Sequence, residues 1–415
     1  MTKKITHQQP FIQKLWKLFL TMIVITAFSF PMLAQNSWTQ FRGEMRDGKS
    51  PETGLLEKWP NSGPDLVWKK ETGPGFPELL IQKDIFFLLS SDTTGDAHEF
   101  IAAYDLNAKE LWKVRVDSMY YEVDGWGHGP RSTPALDEER IYCFSGSGKL
   151  AAYSISDGKE VWTRNIPEDY GCEMPRWGYT SSPILVENIL ILETGGTEKR
   201  AFTAFNPKTG AQLWSKGIGT TSYSSPAIAK IDGTTNIVFA NDTMLHSYNT
   251  NGEALWSFRM PMRYPTPMPV FIAPNKFFMS NMGRTGSFII AVENNEAKEI
   301  LQSKTMQNNF NTSCYHKGYL YGITRTKLMC VSAETGKLKW THRGFGAGSL
   351  IIVDGKLLVL SDQGKLTMVE ATPKSYKELG SVKALEGKSW TAPSFANGRI
   401  YVRNLTHMAC YNLKK

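Results

Sequence analysis

The sequence predicts an all-β protein, an eight-bladed β-propeller whose four-stranded antiparallel blades form a ring closed by N- and C-terminal strands. Three observations predict it: a repeated strand-turn-strand unit, a last copy that lacks its final strand, and eight short segments at matching intervals. Helical periodicity is weak, and short apolar runs bounded by Gly, Asn, Asp and Pro are typical of strands. The chain also exceeds the roughly 250–300 residues that one hydrophobic core usually holds, which favours a repeat architecture.

The repeated unit is an aromatic residue or Val, a small or acidic residue, a Gly-containing turn, and a Trp eight or nine positions later. Five copies run from Tyr104 to Trp112, Tyr153 to Trp162, Phe205 to Trp214, Tyr248 to Trp256 and Val331 to Trp340, and two degenerate copies run from Val292 to Leu301 and Val369 to Leu379. Their spacings of 38 to 52 residues match the period of propeller blades. Each copy is interpreted as the last two strands of a blade, with a hairpin turn between them.

An eighth copy is split between the two ends of the chain. The C-terminal segment ends with Tyr411 and Asn412, which leaves no residues for the following strand, whereas Trp68 near the N-terminus has no copy before it. Pairing the strand at Leu66 to Trp68 with the one ending at Tyr411 would complete the eighth blade and leave no free sheet edge. The blade tryptophans are expected to cover the gaps between neighbouring sheets: Trp68, Trp112, Trp162, Trp214, Trp256 and Trp340.

Eight short segments that are mostly small, polar or Pro-containing precede the predicted innermost strands. They lie at Phe76, Ser132, Ser181, Ser224, Thr266, Thr312, Gly346 and Thr391. In a propeller such turns converge on one mouth of the central channel, and binding residues concentrate on loops held by a rigid scaffold. We call them the mouth segments. Their convergence predicts that a ligand binds at this end of the channel.

The chain is divided into a signal peptide at 1–34, a leader at 35–62 and the propeller at 63–415. Four lysines precede an uncharged apolar run of 13 residues, Leu18 to Phe30, which is shorter than the roughly 20 needed to span a bilayer as a helix. No Cys follows that run as a lipid acceptor. We therefore expect an exported protein, periplasmic or extracellular, monomeric, and without a membrane span once the signal is removed.

Charge and cysteine content exclude other classes. Half of the formal net charge of +8 comes from the signal lysines, and the remainder is spread along the chain, so nucleic acid is not an expected partner. The five cysteines are odd in number and far apart, unlike a dense disulfide framework. No phosphate-binding loop or common hydrolase motif is present in the sequence.

The repeated unit resembles the pyrroloquinoline-quinone (PQQ) repeat, and the resemblance covers roughly residues 63–415. The segment from Trp38 to Gly48, WTQFRGEMRDG, resembles the start of many secreted bacterial propellers of this class. The family includes quinone-dependent alcohol dehydrogenases and the outer-membrane assembly propeller, so the resemblance implies the fold more strongly than it implies one function. The assembly propeller is usually a lipoprotein, whereas this sequence has no Cys after the apolar run to carry a lipid.

The resemblance also sets an expectation for cofactors. Quinone alcohol dehydrogenases of this family typically hold the cofactor between a tryptophan floor and a disulfide of adjacent cysteines, beside a calcium ion and an aspartate base. This sequence has no adjacent cysteine pair and no C-x-x-C-H haem attachment site. No cofactor is therefore expected, with PQQ and calcium as the alternative, and no catalytic residue is assigned.

Two long insertions between blades concentrate the candidate site residues. The first, Tyr120 to Arg131, carries Glu122, Asp124, Trp126, His128 and Arg131, and the second, Glu168 to Tyr179, carries Glu173, Arg176, Trp177 and Tyr179. Aromatic plates with carboxylates and guanidinium groups can clamp a planar or sugar-like ligand, or form a patch that binds an envelope protein. Alternatively the insertions only roof the channel, with their arginines paired to their carboxylates.

Two further interpretations of the insertions stay open at this point. Glu122, Asp124 and His128 have donors suited to a divalent ion, although no metal motif is present and no metal is expected. A carboxylate pair could also act as general acid and base. His246, His316 and His407 lie in predicted strands and are interpreted as structural. The favoured function is a binding scaffold for a small molecule or an envelope protein, and the alternative is a PQQ-dependent dehydrogenase.

Overall fold

Eight antiparallel blades of four strands follow one another along the chain, one of them extended by a short parallel strand from the leader, and they confirm the predicted eight-bladed propeller. The computed structural model describes Met1 and residues 37–414 apart from 197–199, 220, 242, 263 and 284, so the predicted signal peptide lies outside the described residues. Ser37–Lys415 forms one compact unit, which includes the predicted leader from Ser37 onward. No helix in the described ranges is long and apolar enough to cross a membrane.

Two strands precede the first blade, β1 (Lys49–Ser50) and β2 (Asp65–Glu71). Blade 1 contains β3 (Leu80–Gln82), β4 (Ile85–Asp92), β5 (His98–Asp105) and β6 (Glu110–Ser118). Blade 2 contains β7 (Ala135–Leu136), β8 (Arg140–Phe144), β9 (Lys149–Ser154) and β10 (Glu160–Asn165). Blade 3 contains β11 (Ile184–Val186), β12 (Ile189–Gly196), β13 (Arg200–Phe205) and β14 (Gln212–Lys216). Blade 4 contains β15 (Ala227–Ile231), β16 (Thr234–Ala240), β17 (Met244–Tyr248) and β18 (Ala254–Arg259).

The second half of the ring repeats this pattern. Blade 5 contains β19 (Val270–Ala273), β20 (Lys276–Ser280), β21 (Ser287–Glu293) and β22 (Glu296–Ser303). Blade 6 contains β23 (Cys314–His316), β24 (Tyr319–Thr324), β25 (Lys327–Ser332) and β26 (Leu338–Arg343). Blade 7 contains β27 (Ser349–Val353), β28 (Lys356–Leu360), β29 (Lys365–Glu370) and β30 (Glu378–Lys383). Blade 8 contains β31 (Ser394–Ala396), β32 (Arg399–Arg403), β33 (His407–Asn412) and β2.

The ring closes in blade 8 by the predicted pairing of the two ends of the chain. Strand β2 is antiparallel to β33, with Leu66 opposite Tyr411 and Trp68 opposite Cys410. The innermost strand of blade 8, β31, contacts that of blade 1, β3. Both ends of the chain therefore belong to one sheet, and the prediction of closure is confirmed.

The seams between blades follow a common pattern set by the repeated unit. Trp112 Nε1 donates a 2.9 Å hydrogen bond to the carbonyl of Ile155 in the next blade. Gly158, in the turn of that blade, lies against the Trp112 ring so closely that a Cβ there would be 2.7 Å from it. Equivalent hydrogen bonds join Trp68 to Leu106, Trp162 to Pro207, Trp214 to Thr250, and Trp340 to Thr372. The Trp of one blade therefore packs against the Gly of the next blade, and this contact joins the two blades.

Trp256 departs from this pattern. Its Nε1 donates to Asn236 Oδ1 within its own blade, at 2.9 Å. The next blade is a degenerate copy in which β21 and β22 are joined by the two-residue turn Asn294–Asn295, with both residues at positive φ. The indole nitrogen of Trp256 instead bonds a side chain that is itself buried.

The leader enters the central channel, which the sequence analysis did not predict. Trp38 forms an antiparallel bridge with Ile81 of β3, and β1 pairs in parallel with β27, the innermost strand of blade 7. Arg46 donates hydrogen bonds to the carbonyls of Pro183 and Pro226, which precede the innermost strands of blades 3 and 4. A segment that contacts innermost strands on several sides of the ring must lie on its axis, so the leader fills the channel.

Candidate functional site

Hydroxyl groups of the mouth segments link neighbouring blades around the channel. Thr133 Oγ1 accepts a 3.0 Å hydrogen bond from the backbone N–H of Glu78, and the N–H of Thr133 donates in turn to Ser182 Oγ, also at 3.0 Å. The N–H of Ser182 donates to Ser225 Oγ at 2.9 Å. The same contact recurs from Met268 N–H to Thr312 Oγ1. The Ser and Thr content of these segments therefore fixes the rim of the channel.

Six residues of the mouth segments take part in these hydrogen bonds: Glu78, Thr133, Ser182, Ser225, Met268 and Thr312. The residue two positions before each of them lines a common cavity. The six positions are Phe76, Arg131, Thr180, Tyr223, Thr266 and Phe310, and all of them line a cavity of about 460 Å³. This volume is within the roughly 300–1,000 Å³ typical of small-molecule sites. The blade repeat therefore places one side chain from each of six mouth segments around a single space, which we call the cup.

Aromatic rings form two walls of the cup. The first, the Trp390 wall, joins Trp390 to Phe310, Trp126 and Phe76, with ring centroids 5.1, 5.7 and 6.2 Å apart. Because these residues come from the segments before blades 6, 8 and 1 and from the first insertion, this wall lies on one half of the ring.

The second wall, the Trp177 wall, joins Trp177 to Tyr223 and Tyr264 at 4.9 and 5.0 Å. Its residues come from the second insertion and from the segments before blades 4 and 5. It therefore lies on the other half of the ring, and the cup is bounded on two sides by apolar faces.

The leader forms the floor of the cup. Phe41 and Arg42 line the cavity from the channel side. Arg42 is 2% exposed; its Nη2 donates to the carbonyl of Ser313 at 3.3 Å and to Cys314 Sγ at 3.0 Å, and its backbone N–H donates to Glu78 Oε2 at 2.8 Å. These hydrogen bonds join the leader to blade 6 and to the segment before blade 1, on different sides of the channel. The leader therefore closes the base of the cup.

The two insertions are tied together above the cup. Arg176 donates to both carboxylate oxygens of Asp124, at 2.9 and 3.0 Å, and Trp177 Nε1 donates to Asp124 Oδ2 at 2.7 Å. The hydroxyl of Tyr120 donates to the Arg176 carbonyl at 3.0 Å. Hydrogen bonds from Arg176 and Trp177 hold the pKa of Asp124 below its ordinary value of 3.8. Of the arginine–carboxylate pairs expected for a roof, the pair of Arg176 with Asp124 is therefore present, whereas Arg131 donates to a backbone carbonyl.

Glu122 and His128 organise the first insertion. Glu122 is buried, and its two carboxylate oxygens accept the backbone N–H groups of Asp124 and Trp126, at 2.7 and 2.6 Å. The N–H of Glu122 donates to His128 Nδ1 at 3.1 Å. The described residues contain no group of three or more His, Cys, Asp or Glu side chains placed to hold a metal ion.

Arg131 is the cation in the wall of the cup. Its guanidinium lies over the rings of Phe76 and Tyr120, 5.0 and 5.3 Å from their centroids, and Nη2 donates to the Gly127 carbonyl at 2.7 Å. Burial lowers the pKa of Arg131 below its ordinary value, against the charges of neighbouring acidic groups. The guanidinium is thus held by aromatic faces and a backbone carbonyl.

The nine residues proposed from the sequence occupy three kinds of position. Trp126, Arg131 and Trp177 line the cup. Glu122, Asp124, His128 and Arg176 make the contacts within and between the insertions that are described above. The other two lie elsewhere: Tyr179 is fully buried against Phe144, and Glu173 is exposed outside the cavity lining.

Sequence reasoning missed several lining residues: Phe41, Arg42, Tyr223, Tyr264, Phe310 and Trp390. The last four of these residues lie one or two positions before Ser224, Thr266, Thr312 and Thr391, which mark their mouth segments. An aromatic residue at that position was therefore an available signal. The two leader residues carried no such signal, because the path of the leader through the channel depends on contacts with blades distant in sequence.

The fold and the cup together define an eight-bladed β-propeller with a cavity at one mouth of its channel, closed at its base by the leader. A family model described as outer membrane protein assembly factor BamB (PQQ_2) matches residues 97–342, more than half of the chain. The chain therefore belongs to this family of PQQ-like repeat propellers. A curated relative, outer membrane protein assembly factor BamB of Shewanella oneidensis, is 23% identical over 295 residues, covering 65% of this chain and 71% of that protein.

Solved structures of two functional classes share the fold. BamB from Moraxella catarrhalis superposes with a TM-score of 0.62 at 13% identity, over 84% of this chain and 97% of that one. Quinohemoprotein alcohol dehydrogenase from Comamonas testosteroni gives a TM-score of 0.63 at 12% identity, over 92% of this chain and 81% of that one. At these identities the similarity shows a common fold and leaves function to the site.

Proposed function

We propose that this chain is an exported, non-catalytic binding propeller of the cell envelope, which holds a small molecule or a segment of an envelope protein in the cup. The observation that supports this most directly is a cavity of about 460 Å³ between two aromatic walls, closed at its base by the leader. Concave, largely aromatic sites with a few polar groups are the usual form of binding pockets. The curated relative is named as an assembly factor of outer membrane proteins, which favours a role in the envelope.

Export is part of this proposal. The basic and apolar pattern of residues 1–34 favours a cleaved signal and delivery to the periplasm or beyond.

The five cysteines are free in the structure, and Cys143, Cys314, Cys330 and Cys410 are buried, so none of these four is placed to react readily. Burial raises the pKa of Cys143 well above its ordinary value, which disfavours the reactive thiolate. A monomer is the proposed state.

A quinone-dependent dehydrogenase fits the cup poorly. Such a site needs carboxylates for calcium and for a catalytic base, and none of the described residues that line the cup is Asp or Glu. The carboxylates of the first insertion bind the backbone and Arg176. The cup offers aromatic faces, hydroxyls, amides and two guanidinium groups, which suit recognition better than redox chemistry.

The proposed function can be tested with a neutral aromatic dye. N-phenylnaphthylamine brightens in apolar surroundings, and we expect it to bind the purified mature protein at one site. Trp390→Ala and Phe310→Ala should each weaken binding about thirtyfold or more, because aromatic anchors in pockets typically contribute about 2 kcal/mol or more. Leu111→Ala, at an exposed apolar residue of β6, is the matched control.

Two results would contradict the proposal. If the dye binds equally well to the cup variants and the control, the cup is not the binding site. If calcium and PQQ together confer dye-linked alcohol oxidation on the purified protein, the chain is an enzyme and the dehydrogenase interpretation replaces ours.

A further inference from the structure

Among the residues that the structure describes, the two charged side chains that line the cup are both cations. Arg42 lies in the floor and Arg131 in the wall. At the rim, the Lys388 ammonium lies 4.6 Å from the centroid of the Trp390 ring and donates to the Trp126 carbonyl. No described lining residue is acidic, so the lining itself contributes only positive charge, while Glu122 and Glu99 act on Arg131 from outside the lining.

Both arginines also keep a donor without a partner. Nε of Arg42 and Nε of Arg131 are buried and have no hydrogen-bond acceptor among the described residues. A buried donor left unsatisfied destabilises the folded protein, and more so when it belongs to a charged group. Native structures rarely retain such groups without a water, an ion or a ligand to satisfy them. Both donors belong to side chains that line the cup, which favours an acceptor bound there.

Glu78 does not accept a hydrogen bond from either Nε atom, although its Oε1 is also buried without a partner among the described residues. Glu78 Oε2 accepts from Trp38 Nε1 and from the backbone N–H of Arg42, both at 2.8 Å. Burial raises the pKa of Glu78 to about 7, against the hydrogen bonds and guanidinium groups that lower it. Arg42 and Arg46 therefore face one carboxyl group that is only partly ionised at neutral pH, and positive charge remains in excess at the floor.

We propose that the ligand of the cup is an anion with an aromatic or apolar body. Its negative group, a carboxylate, sulfonate or phosphate, would bind to Arg42 and Arg131, which have donors to spare. Its body would lie between the Trp390 wall and the Trp177 wall. This inference rests on the proposed function, because it assigns a charge to the ligand of the same cup.

A matched pair of dyes tests it. Anilinonaphthalene sulfonate carries the same ring system as N-phenylnaphthylamine plus one negative charge. Fluorescence titration of the mature protein should give at least tenfold tighter binding of the sulfonate, and added salt should reduce that preference. Arg131→Gln should weaken the sulfonate about tenfold and leave the neutral dye within twofold, whereas Arg131→Lys should restore much of the preference.

Lys159→Gln is the control for nonspecific attraction, since this cation lies on an exposed turn of blade 2. Equal affinities of the parent for the two dyes would overturn the anion proposal while leaving the cup intact. If Trp390→Ala changes the affinity of neither dye, the cup is not the binding site, and the proposed function is overturned as well. If Arg131→Gln does not fold, the ratio of the two affinities in the parent, and its dependence on salt, still decides.

Discussion

Arg176 donates hydrogen bonds through Nε and Nη2 to the two carboxylate oxygens of Asp124, and this bidentate pair, between residues 52 positions apart in the chain, joins the two insertions. Trp126 is two residues from Asp124, and Trp177 follows Arg176 directly. One ion pair therefore positions an aromatic residue in each wall of the cup. Fixing both walls before a ligand arrives reduces the entropy lost on binding.

The first prediction concerns this pair. Asp124→Ala should weaken binding of N-phenylnaphthylamine several-fold, because Trp126 and Trp177 lose their common anchor. The melting temperature should change little, since exposed ion pairs contribute little to stability. Glu296→Ala breaks the exposed pair with Lys298 and should change neither quantity. Unchanged dye binding in Asp124→Ala would show that the walls are fixed by other contacts.

The second prediction concerns pH. Burial raises the pKa of Glu78 from its ordinary value of 4.5 to about 7, so the folded protein keeps a proton that the unfolded chain releases. Stability from this group is complete at low pH and is lost as pH rises from about 4.5 through about 7, by at most roughly 3 kcal/mol. Denaturant titrations should show a smaller loss over this range in Glu78→Gln than in the parent.

Glu138→Gln is the control for that measurement, because the Glu138 side chain is 81% exposed. It should follow the pH dependence of the parent. A Glu78→Gln protein whose stability falls as steeply as that of the parent would mean that Glu78 is ionised in the folded state.

The propeller was predictable because its information is local and repeated. Each copy of the unit encodes a strand, a turn at positive φ and a Trp, so seven copies and the split eighth identify the ring before any long-range contact is known. Trp256 shows the limit of that reasoning. It matches the unit, yet its partner depends on the shortened turn Asn294–Asn295 of the next blade, which is not part of its own copy.

The third prediction concerns closure of the ring. Removing 406–415 deletes β33, which pairs with both β32 and β2, so blade 8 loses its central hydrogen bonds and β2 loses its place. The truncated protein should lose cooperative thermal unfolding, because a ring distributes its stability over contacts between neighbouring blades. Calorimetry would check this. A sharp transition near that of the parent would show that seven blades and an open edge suffice.

The fourth prediction concerns the seam between blades 2 and 3. Gly210 is at φ +67, and a Cβ there would lie 2.6 Å from the Trp162 ring. Gly355 has nearly the same φ, +68, and no atom within 4 Å of its would-be Cβ. Both alanine variants should lose about 1–2 kcal/mol from the left-handed backbone, and Gly210→Ala should lose about 1–3 kcal/mol more from overpacking. If denaturant titrations show that both variants lose the same free energy of unfolding, the contact between Gly210 and Trp162 does not stabilise the seam.

The candidate site was predictable only in part. Trp126, Arg131 and Trp177 were proposed from the concentration of aromatic and charged residues in long insertions, and they do line the cup. Tyr179 matched the same pattern but is buried, because it is the residue at which the second insertion returns to the blade core. Arg42 was not proposed, since its position depends on the leader lying in the channel, and no local pattern encodes that.

The leader in the channel imposes an order of events on folding. It lies on the axis of a ring whose closing strand, β33, follows all other strands of the described residues in chain order. A ring that had already closed would have to be threaded by a chain bearing Trp38, Phe41 and Arg42, and folded proteins avoid threaded connections. We therefore expect the leader to dock between incomplete blades, before β33 closes the ring. Until it docks, the apolar face that will hold Trp38 is open to water, which favours aggregation of the incomplete chain.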